Sequence, residues 1–212
     1  MKARVVLLLL FAVGLALAPL PSWAQLSWAN GPSNGNVDAW AVDAGSVVSD
    51  SFTLTGSGAT ITGANFAMWL LPGDSVSSAE LSITSEENGG VTYFDQMLSF
   101  TQGSCTMNAH GFNVCDELAL FNGPSLNVGT YWFNLQSAAT PSGDPVYWDE
   151  NSGPDLASQN MVGSIPSESY TVVGECQGCT GTTGTVPEPT NLMLFGSGIL
   201  LLAGLLRYRL TW

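Results

Sequence analysis

A chain of 212 residues with 17 Asp and Glu against 4 Lys and Arg carries a formal net charge of −13. The basic residues are Lys2, Arg4, Arg207 and Arg209, so everything between the two ends is free of Lys and Arg. Without cations to neutralise phosphates the body has no electrostatic basis for nucleic-acid binding, and an anionic membrane surface repels it. It also cannot form a salt bridge to Lys or Arg, which leaves packing and hydrogen bonds to hold the fold.

In chain order, Lys2 and Arg4 precede an apolar run from Val5 to Ala18, and Pro19 to Ala24 ends in Ser22-Trp23-Ala24. That order is the one a secretory signal peptide requires, with small residues where signal peptidase reads, so residues 1–24 are expected to be removed after Ala24. The apolar run is shorter than the ~20 residues that span a bilayer, which argues against an uncleaved anchor.

Residues 25–173 are enough for one domain with a sizeable core. Period-two alternation marks strands at Ser51 to Thr55, Glu80 to Thr84 and Thr130 to Gln136. Further candidates are Ala59 to Thr62, Asn65 to Leu70, Val91 to Phe94, Leu118 to Phe121, Val146 to Trp148 and Tyr170 to Val173, with Gly, Pro, Asn, Asp and Ser clusters between them. Many short strands with turn chemistry in each gap, and no convincing helical stretch, predict an all-β fold: an antiparallel sandwich or jelly roll.

Cys105, Cys115, Cys176 and Cys179 are an even set in an exported chain, and of three connectivities the local one, Cys105 with Cys115 and Cys176 with Cys179, is expected. The Cys-x-x-Cys spacing also occurs in redox and zinc sites, but here Gly and Thr follow rather than a helix.

The inventory for catalysis is thin. His110 is the only histidine and lies between two cysteines expected to pair, so no Ser-His-Asp arrangement is indicated. Glu86 with Glu87, or Asp149 with Glu150, offers paired carboxylates of the kind a glycosidase uses as acid and base, although acidic pairs are usually solvated loops. The run Asp144, Asp149, Glu150, Asn151 and Asp155 supplies hard oxygen ligands within a short span and makes calcium the candidate cofactor; an ordinary acidic turn is the other reading. Trp28, Trp40, Trp69, Trp132 and Trp148 remain in the body. Flat rings beside polar side chains suit a sugar, with Tyr147 and Trp148 as candidate glycan residues, whereas core packing is the commoner use. By alternation at least one of Tyr131 and Trp132 must face inward.

Residues 174–185 are rich in Gly and Thr with almost no large apolar side chain, and are expected to be a linker. Val186-Pro187-Glu188-Pro189 follows, then an apolar stretch at 192–206, the basic residues Arg207 and Arg209, and the C-terminal Trp212. Two prolines flanking a glutamate keep the backbone extended and accessible, and the arginines favour the cytoplasmic face as a stop-transfer signal.

This tail, residues 186–212, resembles the PEP-CTERM sorting signal, and Gly129 to Asn151, with Gly-Thr-Tyr-Trp and Asp-Pro-Val-Tyr-Trp-Asp-Glu-Asn, resembles bodies of uncharacterised bacterial PEP-CTERM proteins. The resemblance implies processing by an exosortase-like membrane enzyme. The protein would be anchored in the inner membrane through its C-terminal helix, then released to the cell surface or exopolysaccharide. Tails of this type are also labelled after ice-binding proteins, but Thr53-Leu54-Thr55 and Thr60-Ile61-Thr62 are too few for a threonine ladder. The expected function is a non-catalytic structural or glycan-binding component of the surface. The competing expectations are an extracellular polysaccharide hydrolase using paired carboxylates, and a domain whose membrane tail is never cut.

Overall fold

A computed structural model describes residues 24–176. The expected signal peptide, Cys179, most of the linker and the whole sorting tail lie outside the described residues, which all belong to one compact unit.

The described residues form fourteen strands and no helix. In chain order they begin β1 (Ala24–Ala29), β2 (Ala39–Ala41), β3 (Val47–Leu54), β4 (Ala59–Leu70), β5 (Ser78–Glu86), β6 (Gly89–Leu98) and β7 (Thr101–Met107). They continue β8 (Asn113–Leu120), β9 (Ser125–Leu126), β10 (Gly129–Ala139), β11 (Tyr147–Asp149), β12 (Ala157–Gln159), β13 (Gly163–Ile165) and β14 (Tyr170–Cys176). An eight-stranded sheet runs β1-β14-β4-β11-β2, with β8 and β9 also on β4 and β7 on β8; a six-stranded sheet runs β13-β12-β3-β10-β5-β6. The pairings are antiparallel.

The all-β sandwich expected from alternation is present. Phe66 and Trp148 of the larger sheet meet at 5.2 Å, Phe66 reaches Phe133 of the smaller sheet at 5.8 Å, and Phe133 stacks on Phe52 at 4.5 Å. Tyr170 closes this aromatic centre from β14. Alternation resolves the Tyr131–Trp132 pair as well: Tyr131 is buried inward and Trp132 is half-buried on the outer side.

Two expected boundaries move. The separate candidates Ala59 to Thr62 and Asn65 to Leu70 are one strand, β4, because Gly63 is a point of close approach rather than a break: a Cβ there would stand 2.7 Å from the Ala119 carbonyl oxygen. Likewise Gly174, Glu175 and Cys176, assigned to the linker from their composition, complete β14. After a register shift at Val173, Gly174 lies opposite Ile61, where a Cβ would be 2.7 Å from the Thr60 oxygen, so glycine is what lets the strand continue.

Cys105 and Cys115 are bonded as expected. They are direct cross-strand partners of β7 and β8, 4.1 Å apart at Cα. Cys176 is also in a disulfide, and its expected partner, Cys179, lies outside the described residues. Ala24 pairs with Cys176, so the chain leaves the domain beside the point where it enters.

Candidate functional site

The unusual feature of the core is acid. On β3 the inward positions read Val48, Asp50, Phe52, Leu54, and the register sets Asp50 opposite Phe133 of β10 and Ala157 of β12. Asp50 is fully buried, as are Glu168, just before β14, and Asn30, just after β1.

One network ties the three residues. Asp50 Oδ2 accepts from the Glu168 amide at 2.6 Å, from Ser167 Oγ at 3.0 Å and from Asn30 Nδ2 at 3.2 Å. Asn30 Nδ2 also donates to the Glu168 carbonyl at 2.9 Å. Those bonds use one oxygen of Asp50 and the main chain of Glu168. Asn30 Oδ1, Asp50 Oδ1 and both carboxylate oxygens of Glu168 accept no hydrogen bond among the described residues.

Burial pushes the Asp50 carboxyl up to about 8, against the hydrogen bonds that favour its charged form. Burial also holds Glu168 well above the usual carboxylate range, with the charges of Asp50, Glu150, Asp149 and Asp38 adding to it. Glu168 pairs with Glu150 in an isolated bridge, so acidic residues face one another across two segments where most folds place a basic partner.

The five residues of the acidic run do not gather into one ligand set. Asp149 is buried and spent on other donors: Trp69 Nε1, the Asn34 amide at 3.0 Å and the Gly35 amide at 3.0 Å. Burial nevertheless raises its carboxyl. Glu150 accepts from Trp40 Nε1 at 3.3 Å, Asp144 from Ser142 Oγ at 3.0 Å, and Asn151 Nδ2 donates to the Asn30 carbonyl. Of the five, Asp155 alone keeps a buried oxygen, Oδ2, without a partner, and burial pushes its carboxyl up to about 6. Among the described residues no group of three or more His, Cys, Asp or Glu side chains is placed to hold a metal ion. The calcium loop expected from Asp144, Asp149, Glu150, Asn151 and Asp155 is thus not gathered as one ligand set. Strand β11 alternates, sending Asp149 to one side of the sheet and Trp148 to the other, which separates residues that are adjacent in sequence.

Burial corrects the glycan assignment of Trp148. Trp148 is fully buried, with its indole N–H donating to the Ser169 carbonyl at 2.9 Å, and it has no face to offer. Tyr147 is half-buried, edge-on to Phe112 at 5.8 Å. His110 stacks on Trp69 at 5.6 Å, with Nε2 3.2 Å from the Asn36 carbonyl oxygen.

Trp132 is the tryptophan that meets a cleft. About 400 Å³ in volume, this hollow is lined by Glu87, Trp132, Asn151, Gly153, Asp155 and Ser167, among others. The β5–β6 turn brings Glu87 there. Asn88 takes a left-handed φ of 52°, a conformation asparagine tolerates. Its side chain accepts from Ser49 Oγ at 2.8 Å and donates to Ser158 Oγ at 3.3 Å, pinning the turn over the smaller sheet. Ser167, which lines the cleft, also donates to Asp50, so the cleft borders the buried acidic network.

Asp50 and Glu168 lie outside the acidic run and the paired carboxylates that stand out in the sequence. The signal for Asp50 was its place two residues from Val48 and two from Phe52, in phase with apolar positions. Glu168 sits in Ser167-Glu168-Ser169, which reads as a polar loop and gives none. No family model and no curated protein sequence matches the chain.

Proposed function

We propose that the protein is an exported component of the cell surface or exopolysaccharide, processed at Val186-Pro187-Glu188-Pro189 and acting as a non-catalytic glycan-binding or structural domain. The observation that carries this reading is the Cys105–Cys115 disulfide in an all-β sandwich, which suits an oxidising compartment and agrees with the two targeting segments of the sequence. Trp132, with polar neighbours in an open cleft, supports glycan contact there: an aromatic ring beside oxygen and amide groups is what a sugar stacks against.

One observation favours a second reading, a polysaccharide hydrolase. Glu87 and Asp155 line the same cleft, and the raised Asp155 carboxyl falls in the range of a general acid at neutral pH. New reducing ends released from host exopolysaccharide by the full chain, and lost in Glu87→Gln, would establish that reading.

The sorting reading is tested in the native host by changing Pro187 and Pro189 to Ala and fractionating the cells. Wild type is expected in the medium or matrix fraction and the variant in the inner membrane. Equal retention of both in the membrane would favour a permanently anchored domain.

A further inference from the structure

The fully buried Glu168 and Asp50 lie in a body that has no Lys or Arg to meet them. An ionised carboxylate in such a position is strongly disfavoured unless a compensating cation or proton arrives, and here either one must come from solvent.

Buried oxygens without partners are available to meet it. Four oxygens, Asn30 Oδ1, Asp50 Oδ1 and the pair on Glu168, are buried and accept no hydrogen bond among the described residues. The Asn30 and Asp50 side chains are fastened to each other and to the Glu168 main chain by bonds of 2.6 to 3.2 Å, which anchors the Glu168 backbone beside them and leaves its carboxylate free to meet a ligand. A fifth unused oxygen, Asp155 Oδ2, belongs to a residue lining the cleft, and Ser167 connects that cleft to Asp50.

We propose that Asn30, Asp50 and Glu168 form a buried calcium site, entered from the cleft beside Asp155 and Ser167. Two carboxylates match the charge of a divalent ion. The donor set is oxygen only, which selects a hard cation over zinc or copper. Calcium takes six to eight oxygens in adaptable geometry, so these four oxygens with two to four waters from the cleft complete its shell. Magnesium, which demands near-ideal octahedral coordination and sheds water reluctantly, fits a set of oxygens fixed by the fold less well. The ligands come from the end of β1, the middle of β3 and the segment leading into β14, so the ion clamps three distant parts of the chain and its binding energy becomes folding energy.

The test uses the full chain, purified in mild detergent, stripped with EDTA and titrated with calcium chloride against thermal unfolding and calorimetry. Magnesium chloride at equal ionic strength serves as comparison. Wild type is expected to gain about 3 to 8 °C in Tm between chelator and about 10 mM calcium, with a smaller response to magnesium. Glu168→Gln keeps the shape of the side chain and is expected to fold in EDTA yet lose the calcium-dependent gain. A wild-type Tm that does not respond to calcium overturns the proposal. So does a Glu168→Gln protein that responds as wild type does, since the ion would then be bound elsewhere. Should Glu168→Gln not fold, a calorimetric calcium titration of Asp50→Asn decides: loss of binding supports the site and wild-type binding refutes it.

Discussion

The main-chain amide of Glu168 donates to the carboxylate of Asp50 at 2.6 Å, which ties two fully buried acidic residues together. Their shared surroundings set how stability responds to pH when no divalent ion is present. Unfolded, Asp50 loses its proton near its ordinary 3.8; folded, it keeps the proton until about 8. Between those values the native state binds more protons than the unfolded chain, so stability falls as pH rises, by about 1.4 kcal/mol per pH unit for each such group. The contribution is complete below about pH 4 and gone above about pH 8. Glu168 acts in the same direction, as do Asp149 and, more weakly because it is half-exposed, Asp155. Around Glu168 stand Asp50, Glu150, Asp149 and Asp38, and Tyr170 is held neutral by the same burial. Urea unfolding in EDTA from pH 4 to pH 9 is expected to show this decline, with a shallower slope in Glu168→Gln. A flat profile would mean that the carboxyls are solvated.

Strand β7 hangs on the edge of the larger sheet, every residue exposed, joined only to β8. Its cross-strand disulfide closes a loop across a separation of 10 residues, for which chain entropy gives about 2 to 3 kcal/mol. Replacing Cys105 and Cys115 together by Ser should lower stability by that amount. Hydrogen exchange should rise first in 101–107 while the aromatic centre stays protected.

Gly174→Ala tests the close approach that allows β14 to continue. The added Cβ meets the Thr60 carbonyl oxygen, backbone that cannot swing aside, so a loss of about 1 to 3 kcal/mol is expected. An unchanged denaturation midpoint would place these residues in the linker after all.

Trp148 and Trp132 should behave as opposites. Trp148→Ala opens a cavity among Phe66 and Tyr170 and is expected to cost about 3 to 5 kcal/mol. Trp132→Ala, on the rim of the cleft, should change stability far less and abolish retention on exopolysaccharide affinity media.

Much of the fold was legible because alternation survives wherever one face is buried: β3, β5 and β10 stand where the period-two segments are. Part of what escaped has a physical reason. Strands β12 and β13 are too short to show a period. β7, Thr-Gln-Gly-Ser-Cys-Thr-Met, buries nothing and so has no pattern to read. Glycine often punctuates strands, but at Gly63 and Gly174 it is a spacer between crowded strands. The site was less legible than the fold. The acidic run drew attention because its members are near in sequence, yet β11 turns Asp149 away to Trp69. Asp50 and Glu168, 118 residues apart, meet only because the two sheets close on each other.

The most direct test of export and sorting is the intact mass of the protein recovered from the extracellular or matrix fraction of its native host. A mass lacking residues 1–24 and the chain from about Pro189 onward, with both disulfides formed, is the predicted result. A mass that retains the apolar segment at 192–206 would contradict it, leaving an anchored sandwich that is never released.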